Sequence, residues 1–381
     1  MRYDARVPRI DTLHVAALPY PTSQGTQAAI GCMVDALASQ GRSTALLTYA
    51  SGAGTEMRFE HRVTHGRVQP RSLRSGPSLE KIAADVALGA ALRTQAREAD
   101  VVVAHHVEAA ALAMALRLPR WIFVAHTTLG PELPTYLPPR FAGLAARSGR
   151  ALDRVLMRGA PGVAAISVHV ADEIHSLASR DAVVLPVPIA APEPAPSRDE
   201  ARRALGVEGP VILYAGNLDA YQGLDALVDA AARLHDVTVL VATESDPAPL
   251  RARFAAHGVA PRFAPLATED DRARAHAAAD VAVVTRGTPG GFPIKLLDAM
   301  SRGVPVVAMR RALSGHDVPG IAIARDDAVS LAAALKAMLD APPDVRSRRA
   351  REALDHVRRH HDAASFVRAL DEAIARLQVR A

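Results

Sequence analysis

The chain has 381 residues, of which 49% are apolar and 22% charged, with a formal net charge of +5. That balance excludes a disordered tail, a collagen-like repeat and a coiled-coil rod. The length suits about two domains at roughly 100–200 residues each.

Short β-rich apolar runs alternate with Ala-rich helical patterns along the whole chain, the signature of βαβ units and parallel sheets. In the first half, strands are predicted at 12–18, 43–48, 101–104, 121–125, 162–166 and 182–185. Helices between them include 26–39, 79–99 and 168–177. The stretch PVPIAAPEPAPS at 186–197 holds five prolines in twelve residues. Proline fixes φ and removes a backbone donor, so neither a helix nor a central strand continues through it, and it reads as a linker. Beyond it, strands are predicted at 210–214, 237–242, 262–264, 281–285, 305–308 and 321–323. Helices are predicted at 223–234, 249–257, 270–279, 294–302 and 329–340, and two more at 345–360 and 363–379 close the chain. The expectation is an α/β protein with two doubly wound domains, 1–188 and 189–360, and a last helical segment in 361–381. Such sheets bind ligands outside the carboxyl ends of their strands, so the loops there are where chemistry is to be sought.

The first strand runs through Pro19 and Pro21 to Gly25 and Thr26 at a helix mouth. Gly25 lets a ligand approach the backbone, where the free N–H groups of a first turn attract anions. Ser23 or Thr26 serves equally well as a plain cap. The third predicted strand ends in His105, His106 and Glu108, residue types that move protons or hold metals. No third histidine or Asp-x-Asp pair stands nearby in sequence, so no metal is expected. The fourth strand ends in His126, leaving the sheet at its carboxyl edge; a histidine hydrogen-bonded only for structure is the alternative. Glu132 follows, in a loop that borders a substrate site.

In the second half, Gly216, Asn217, Gln222 and Gly223 line a strand-to-helix turn. After the strand at 281–285 come Arg286 and a Gly/Pro-rich loop with Gly290, Gly291, Phe292, Pro293 and Ile294, then Lys295 and Asp298. Glycines at a helix N-terminus beside two cations suit a diphosphate, and Asp298 suits a ribose diol. At i, i+3 spacing, Lys295 and Asp298 also suit an ordinary ion pair.

Charge is unevenly spread. Residues 1–190 carry 20 Arg and Lys against 15 Asp and Glu, whereas 191–381 carry 25 of each. Arg58, Arg62, Arg67, Arg71 and Arg74, with His61 and His65, form a local cluster. It reads either as a solvated loop or as a contact for anionic lipid headgroups, at about 1 kcal/mol per basic residue. With 4% aromatics and none interleaving those bases, nucleic acid is not an expected partner. Apolar runs such as 101–104 fall far short of the ~20 residues a bilayer span needs. Mixed charge at Arg2, Asp4 and Arg6 argues against a leader peptide. The single Cys32 makes no internal disulfide, which fits a reducing compartment. The expected location is cytoplasmic. Only Lys81, Lys295 and Lys336 are lysines among the 45 basic residues, which singles out Lys295.

Four segments, in order, carry a resemblance. They are Pro-x-Pro…Gly at 19–25, a strand plus histidine at 121–126, Gly-x-Leu…Gly-Leu-Asp at 216–225, and Gly-Gly-Phe-Pro…Leu-Leu-Asp-Ala-Met…Gly-Val-Pro-Val-Val at 290–307. Together they resemble the retaining glycosyltransferases of the GT-B fold in family 4, which includes bacterial mannosyl- and glucosyltransferases. The resemblance spans nearly the full chain and implies two Rossmann-like domains facing across a cleft, with the closing helix crossing back onto the first. It implies a nucleotide-diphosphate sugar as donor and an acceptor hydroxyl on a glycolipid, polysaccharide or small metabolite. No cofactor or metal is implied. His126 matches the histidine near the reacting sugar, and Gly25 and Thr26 fall where the donor's diphosphate and sugar meet the backbone. Gly216, Asn217, Gln222, Arg286, Gly290, Gly291, Phe292, Pro293, Ile294, Lys295 and Asp298 fall on the donor site, Asp298 at the ribose. His105, His106, Glu108 and Glu132 fall on the acceptor side, in the more basic domain. That basic side tilts the choice among acceptors toward one at a membrane surface, with peripheral contact at the inner face of the membrane beside the cytoplasmic location.

The departures are specific. The family usually has Arg after the glycine of the second-domain turn and Lys before the next glycine; here Asn217 and Gln222 stand there. The first acid of the Glu-x7-Glu motif is replaced by Gly290, and the second is shortened to Asp298. Two lost charge-assisted hydrogen bonds, at about 1.5–3 kcal/mol each, call for a substitute. Arg286 and Lys295 are the expected one. Two alternatives stand beside this reading: a non-catalytic binding or scaffolding subunit of the same fold, and a sugar-nucleotide epimerase or hydrolase. The second would draw on Glu108 and Glu132, neither of which shows a partner in the sequence.

Overall fold

Strand and helix alternate through two all-parallel sheets. The computed structural model describes residues 9–21, 25–49, 57–64, 79–287 and 291–377. The chain divides into a first unit, Met1–Pro188 with Ala363–Ala381, and a second, Ile189–Asp362. The first sheet contains β1 (Ile10–Ala16), β2 (Thr44–Thr48), β3 (Glu60–Val63), β4 (Ala99–His105), β5 (Trp121–Ala125), β6 (Gly162–Ala165) and β7 (Val183–Val184). Their order across the sheet is β3-β2-β1-β4-β5-β6-β7. The second contains β8 (Val211–Ala215), β9 (Thr238–Ala242), β10 (Arg262–Ala264), β11 (Val281–Val284), β12 (Val306–Met309) and β13 (Ala322–Ala324), in the order β10-β9-β8-β11-β12-β13.

Helices cover both faces of a parallel sheet, so central strands read as continuous apolar runs. Trp121-Ile-Phe-Val-Ala125 in β5 and Val281-Ala-Val-Val284 in β11 are buried at every position. Local chemistry starts and stops the helices. The Ser167 hydroxyl accepts from the Val170 N–H at the start of helix Val168–Ala178. Ser197 with Glu200, and Thr268 with Asp271, make reciprocal caps for helices Arg198–Leu205 and Glu269–Ala278.

Strand β3 stands outside the predicted set. Its sequence, Glu-His-Arg-Val, is short and polar, and it lies at the sheet edge, where little apolar surface is needed. Helices His106–Ala115 and Ala142–Gly159 were also not singled out above. The first follows β4 with no loop between them, because His106 takes a left-handed φ of 66° and makes the turn alone. No regular structure forms at 185–197, and the Ile189 N–H there donates to the His361 carbonyl at 2.8 Å. Helix Ala363–Ala375 belongs to the first unit, where Asp371 pairs with Arg42 at 2.6 Å.

Each sheet reverses its winding between two central neighbours, β1 and β4 in the first and β8 and β11 in the second. Chains leaving such a pair diverge to opposite faces and open a crevice at the carboxyl edge. The segments that follow these strands, together with β5, therefore position the candidate site.

Candidate active site

At the first switch point, β4 delivers His105 and His106, and β5 delivers His126. They meet a fourth ring, His14 of β1. His14 Nδ1 lies 2.9 Å from His105 Nε2, and His105 Nδ1 lies 2.9 Å from His126 Nε2. The His106 ring stacks on His126 with centroids 4.3 Å apart. His14 and His105 are 0% exposed and His126 is 4% exposed. Burial holds all four rings uncharged: it pushes His14 down to about 3, and His105, His106 and His126 below the usual imidazole range. Among the described residues, His14 Nε2, His106 Nε2 and His126 Nδ1 are buried without a hydrogen-bond partner.

His105 is fully buried, and both of its ring nitrogens face neighbouring rings. His14 is the partner that sequence reasoning missed, and its one signal is an imidazole inside an apolar strand.

The two glutamates do have partners, contrary to expectation. Glu108 pairs with Lys81; burial is the largest single influence and raises the carboxyl, but the Lys81 charge and hydrogen bond together with His106 and the backbone hold it below its usual range. Glu132 accepts from the Tyr136 hydroxyl at 2.6 Å, and burial raises it. Nearby, Asp85 accepts from the Tyr49 hydroxyl. Gly25 opens helix Gly25–Ser39, with Thr26 in its first turn; Ser23 lies outside the described residues, as do His65, Arg67, Arg71 and Arg74. The described part of the basic cluster is not a free patch. Arg62 pairs with Glu98 at 2.7 Å and Glu60 at 2.9 Å, and His61 Nε2 meets the Thr48 hydroxyl at 2.8 Å.

At the second switch point, the turn after β8 contains Gly216 and Asn217 and leads through Gln222 to Gly223. Gly216 has φ 147°, and a Cβ there would lie 3.1 Å from Lys295 Nζ. Gly223 has φ 66°, and its Cβ would come within 2.7 Å of the Gly287 N–H nitrogen. Any side chain at Gly223 would force apart the two loops that build this edge.

Lys295 reaches across from helix Ile294–Ser301. Its ammonium donates to the Tyr214 hydroxyl at 2.8 Å and to Gln222 Oε1 at 2.6 Å, and it lies 4.3 Å from the Tyr214 ring centroid. Gln222 in turn donates to Asn217 Oδ1, and Asn217 Nδ2 reaches Asp219 at 2.9 Å and the Tyr221 hydroxyl at 3.0 Å. Both of the ammonium's acceptors are neutral. Burial and the neighbouring Arg286 charge push Lys295 down to about 7, against the pull of Asp219. Arg286 donates to the Gly291 carbonyl at 2.7 Å and lies over the Tyr221 ring.

The alternative offered by their spacing, an ion pair between Lys295 and Asp298, does not form. Asp298 instead accepts from Arg302 Nε at 2.7 Å and lies 3.8 Å from the His276 ring. Helix geometry allowed the pair, but the strand and turn across from Lys295 offer it closer oxygens. Pro293 caps the start of the helix, ahead of Ile294, and Phe292 packs edge-on to His316 and stacks on His361. Gly290 lies outside the described residues. Among the described residues, no group of three His, Cys, Asp or Glu side chains is placed to hold a metal ion.

A family model described as Glycosyltransferase Family 4 matches residues 24–190, and one described as Glycosyl transferases group 1 matches residues 209–341. A search by sequence among curated proteins finds no match. In structure, the chain is similar to sucrose-phosphate synthase from Thermosynechococcus elongatus, with TM-score 0.78 and 16% identity over 98% of this chain and 100% of that one. It is similar to Anabaena Alr3699/HepE in complex with UDP and glucose, with TM-score 0.75 and 18% identity over 96% and 100%. It is also similar to WaaG, a glycosyltransferase involved in lipopolysaccharide biosynthesis, with TM-score 0.70 and 17% identity over 95% and 99%. At such identities the likeness speaks for the fold, and that fold is GT-B, with a helix-flanked parallel sheet in each unit.

Proposed function

Because the chain belongs to the group 1, family 4 glycosyltransferases, we propose that it transfers a sugar with retention from a nucleotide diphosphate to an acceptor hydroxyl. In this reading Lys295 does the work of the two cations that Asn217 and Gln222 replace. One observation carries it: the Lys295 ammonium lies 2.6 Å from Gln222 Oε1 and 3.1 Å from where a Gly216 Cβ would stand. A cation has reached the turn that lost its own. Its present acceptors are neutral, so an arriving diphosphate would be its first anionic partner in the donor loops, and charge-assisted hydrogen bonds are the stronger kind. The UDP and glucose bound in HepE support a nucleotide donor and a sugar.

In the reaction, the bond from the anomeric carbon to the diphosphate oxygen breaks as the acceptor oxygen bonds to that carbon from the same face. The acceptor proton passes to the departing diphosphate. Lys295 and the first turn of helix Ile294–Ser301 stabilise the charge that develops on the leaving group. His126 orients the sugar, and Asp298 binds the ribose. No protein nucleophile and no metal is required, so the replacement at Gly290 leaves the route open.

The acceptor belongs at a membrane surface in this reading, now through helix Ala142–Gly159. Leu144, Leu152 and Val155 are 67%, 44% and 55% exposed on one stripe, with Arg147, Arg150, Arg154 and Arg158 exposed around them. Apolar side chains rimmed by arginine suit the interface of an anionic bilayer. Co-sedimentation with phosphatidylglycerol vesicles should succeed and fail with Leu144→Asp; equal binding by that variant refutes the surface.

The first test of the transferase reading is calorimetry with UDP, GDP and ADP, without and with Mg²⁺. Micromolar, metal-independent binding of one nucleotide is expected. No binding of any at millimolar concentration overturns the reading.

A further inference from the structure

Three histidine rings stand in line at the first switch point, joined by the two 2.9 Å contacts between His14 and His105 and between His105 and His126. A hydrogen bond between ring nitrogens needs one to carry a proton and the other to present a lone pair. An uncharged imidazole carries one proton, so both bonds form together in only two ways. Either all three rings hold the proton on Nδ1, and the line points toward His126, or all three hold it on Nε2, and the line points back to His14. Any mixed set breaks a bond or sets two protons against each other. The tautomer of His126 is thus tied to that of a residue two rings away.

The ends of the line differ. His14 sits inside β1 with Leu46 of β2 and Val103 of β4 as its register partners, and its Nε2 is buried and unpaired. His126 follows the last residue of β5 at the carboxyl edge, where a ligand arrives, and its Nδ1 is the other unpaired end. A buried N–H without an acceptor is the rarer kind of orphan; an unused lone pair is better tolerated. Either direction leaves one buried N–H unpaired; at His14, 0% exposed, it would be shut inside the sheet, whereas at His126, 4% exposed, it stands at the carboxyl edge, so the line points outward with the bare nitrogen in the core.

We infer that His14 is a positioning residue: through His105 it keeps the His126 proton on Nδ1, so that His126 meets the donor sugar as a hydrogen-bond donor and not as a base. The role toward the sugar rests on the transferase reading above; the tautomer line does not.

Ring-nitrogen shifts in ¹⁵N-histidine NMR separate the two tautomers. In the wild-type chain His14, His105 and His126 should all carry the proton on Nδ1. In His14→Phe, His126 should become a mixture of tautomers, and kcat for sugar transfer should fall about 10–100-fold, the range seen when the partner orienting a ligating histidine is removed. Donor KM should hold. His14→Asn places an amide near the Nδ1 position and should restore both the tautomer and most of the rate. A wild-type His126 protonated on Nε2, or unchanged His126 shifts in His14→Phe, overturns the inference, and the wild-type spectrum decides even if the Phe variant does not fold. The expected spectra without any sugar transfer would sink the transferase reading and leave the line standing.

Discussion

The two switch points treat their ionisable groups in opposite ways. In the first unit, burial strips charge from four histidines, and what remains is a matter of where neutral protons sit. In the second, a lysine keeps its hydrogen bonds but is held near the edge of losing its proton, at about 7. One edge is organised for direction and the other for charge that a ligand can claim. The same parallel-sheet architecture supports both, because the carboxyl edge of a switch point offers enclosure and free loop ends together.

The comparison breaks most visibly in acid. An unfolded histidine takes up a proton near pH 6.5, whereas the buried rings do so lower, His105 and His126 well below that value and His14 at about 3. The unfolded chain then binds more protons, so stability is lost as pH falls below about 6.5, at up to about 1.4 kcal/mol per pH unit for each ring. Asp153, pushed up to about 6 by burial, acts the other way between pH 4 and 6, as do Glu132 and Asp85, which burial also raises, but these carboxyls stand against four buried rings. Trp121, the chain's single tryptophan, is buried in β5 of the first unit and reports on that unit. Its fluorescence midpoint in urea should drop by several kcal/mol equivalent between pH 6.5 and 4.5, on the order expected for such rings. A flat midpoint would mean the rings are not neutral in the folded chain.

Lys295 sharpens the other half. Lys295→Met should weaken nucleotide-sugar binding by about 10–150-fold, the equivalent of one charged hydrogen bond, while raising the stability of the ligand-free chain at pH 7. The gain follows from sign: a lysine held at about 7 when folded and near 10.5 when unfolded costs stability at and below neutral pH, and the cost is relieved as pH rises between those values. A bound diphosphate removes the same cost by restoring the proton. Affinity for a nucleotide sugar, whose diphosphate holds no proton in this range, should fall about tenfold per pH unit above 7. Calorimetry in buffers of different ionisation enthalpy should record proton uptake. Binding that is independent of both pH and buffer would place the working cation elsewhere.

Much of this was readable beforehand, and most of the exceptions share a cause. The alternation of apolar runs and helices, and a histidine at the end of β5, lie within single stretches of sequence. The line of rings does not: His14 and His105 are 91 residues apart and meet because β1 and β4 become neighbours. Lys295 likewise answers to Tyr214 and Gln222, 81 and 73 residues away, and local helix spacing suggested Asp298 instead. Glu108 looked partnerless because Lys81 comes from a helix 27 residues earlier; Glu132 is a local case, its Tyr136 partner standing four residues on at the end of the 3-10 turn Leu133–Tyr136. Local periodicity reports which face of an element is buried. Sheet order decides what it is buried against.

Arg286 is the smallest and most discriminating case. The sequence offers it as an equal partner of Lys295, yet its guanidinium donates to the Gly291 carbonyl and lies over Tyr221, so part of its capacity already holds the donor loop in shape. Burial lowers its pKa, but from a value so high that it stays charged throughout the working range. Its charge also helps keep Lys295 near 7. Arg286→Lys should preserve the charge, lose the hydrogen bond to the Gly291 carbonyl, and raise donor KM only about two- to fivefold, within the span of a typical net hydrogen bond. Arg286→Met should do somewhat more and, by removing a neighbouring positive charge, move the pH dependence of donor binding upward. That shift separates a residue acting through Lys295 from one acting on the diphosphate directly. If Arg286→Met weakens binding as severely as Lys295→Met and leaves the pH profile in place, the two cations share the diphosphate equally, and the loop contact to Gly291 is incidental.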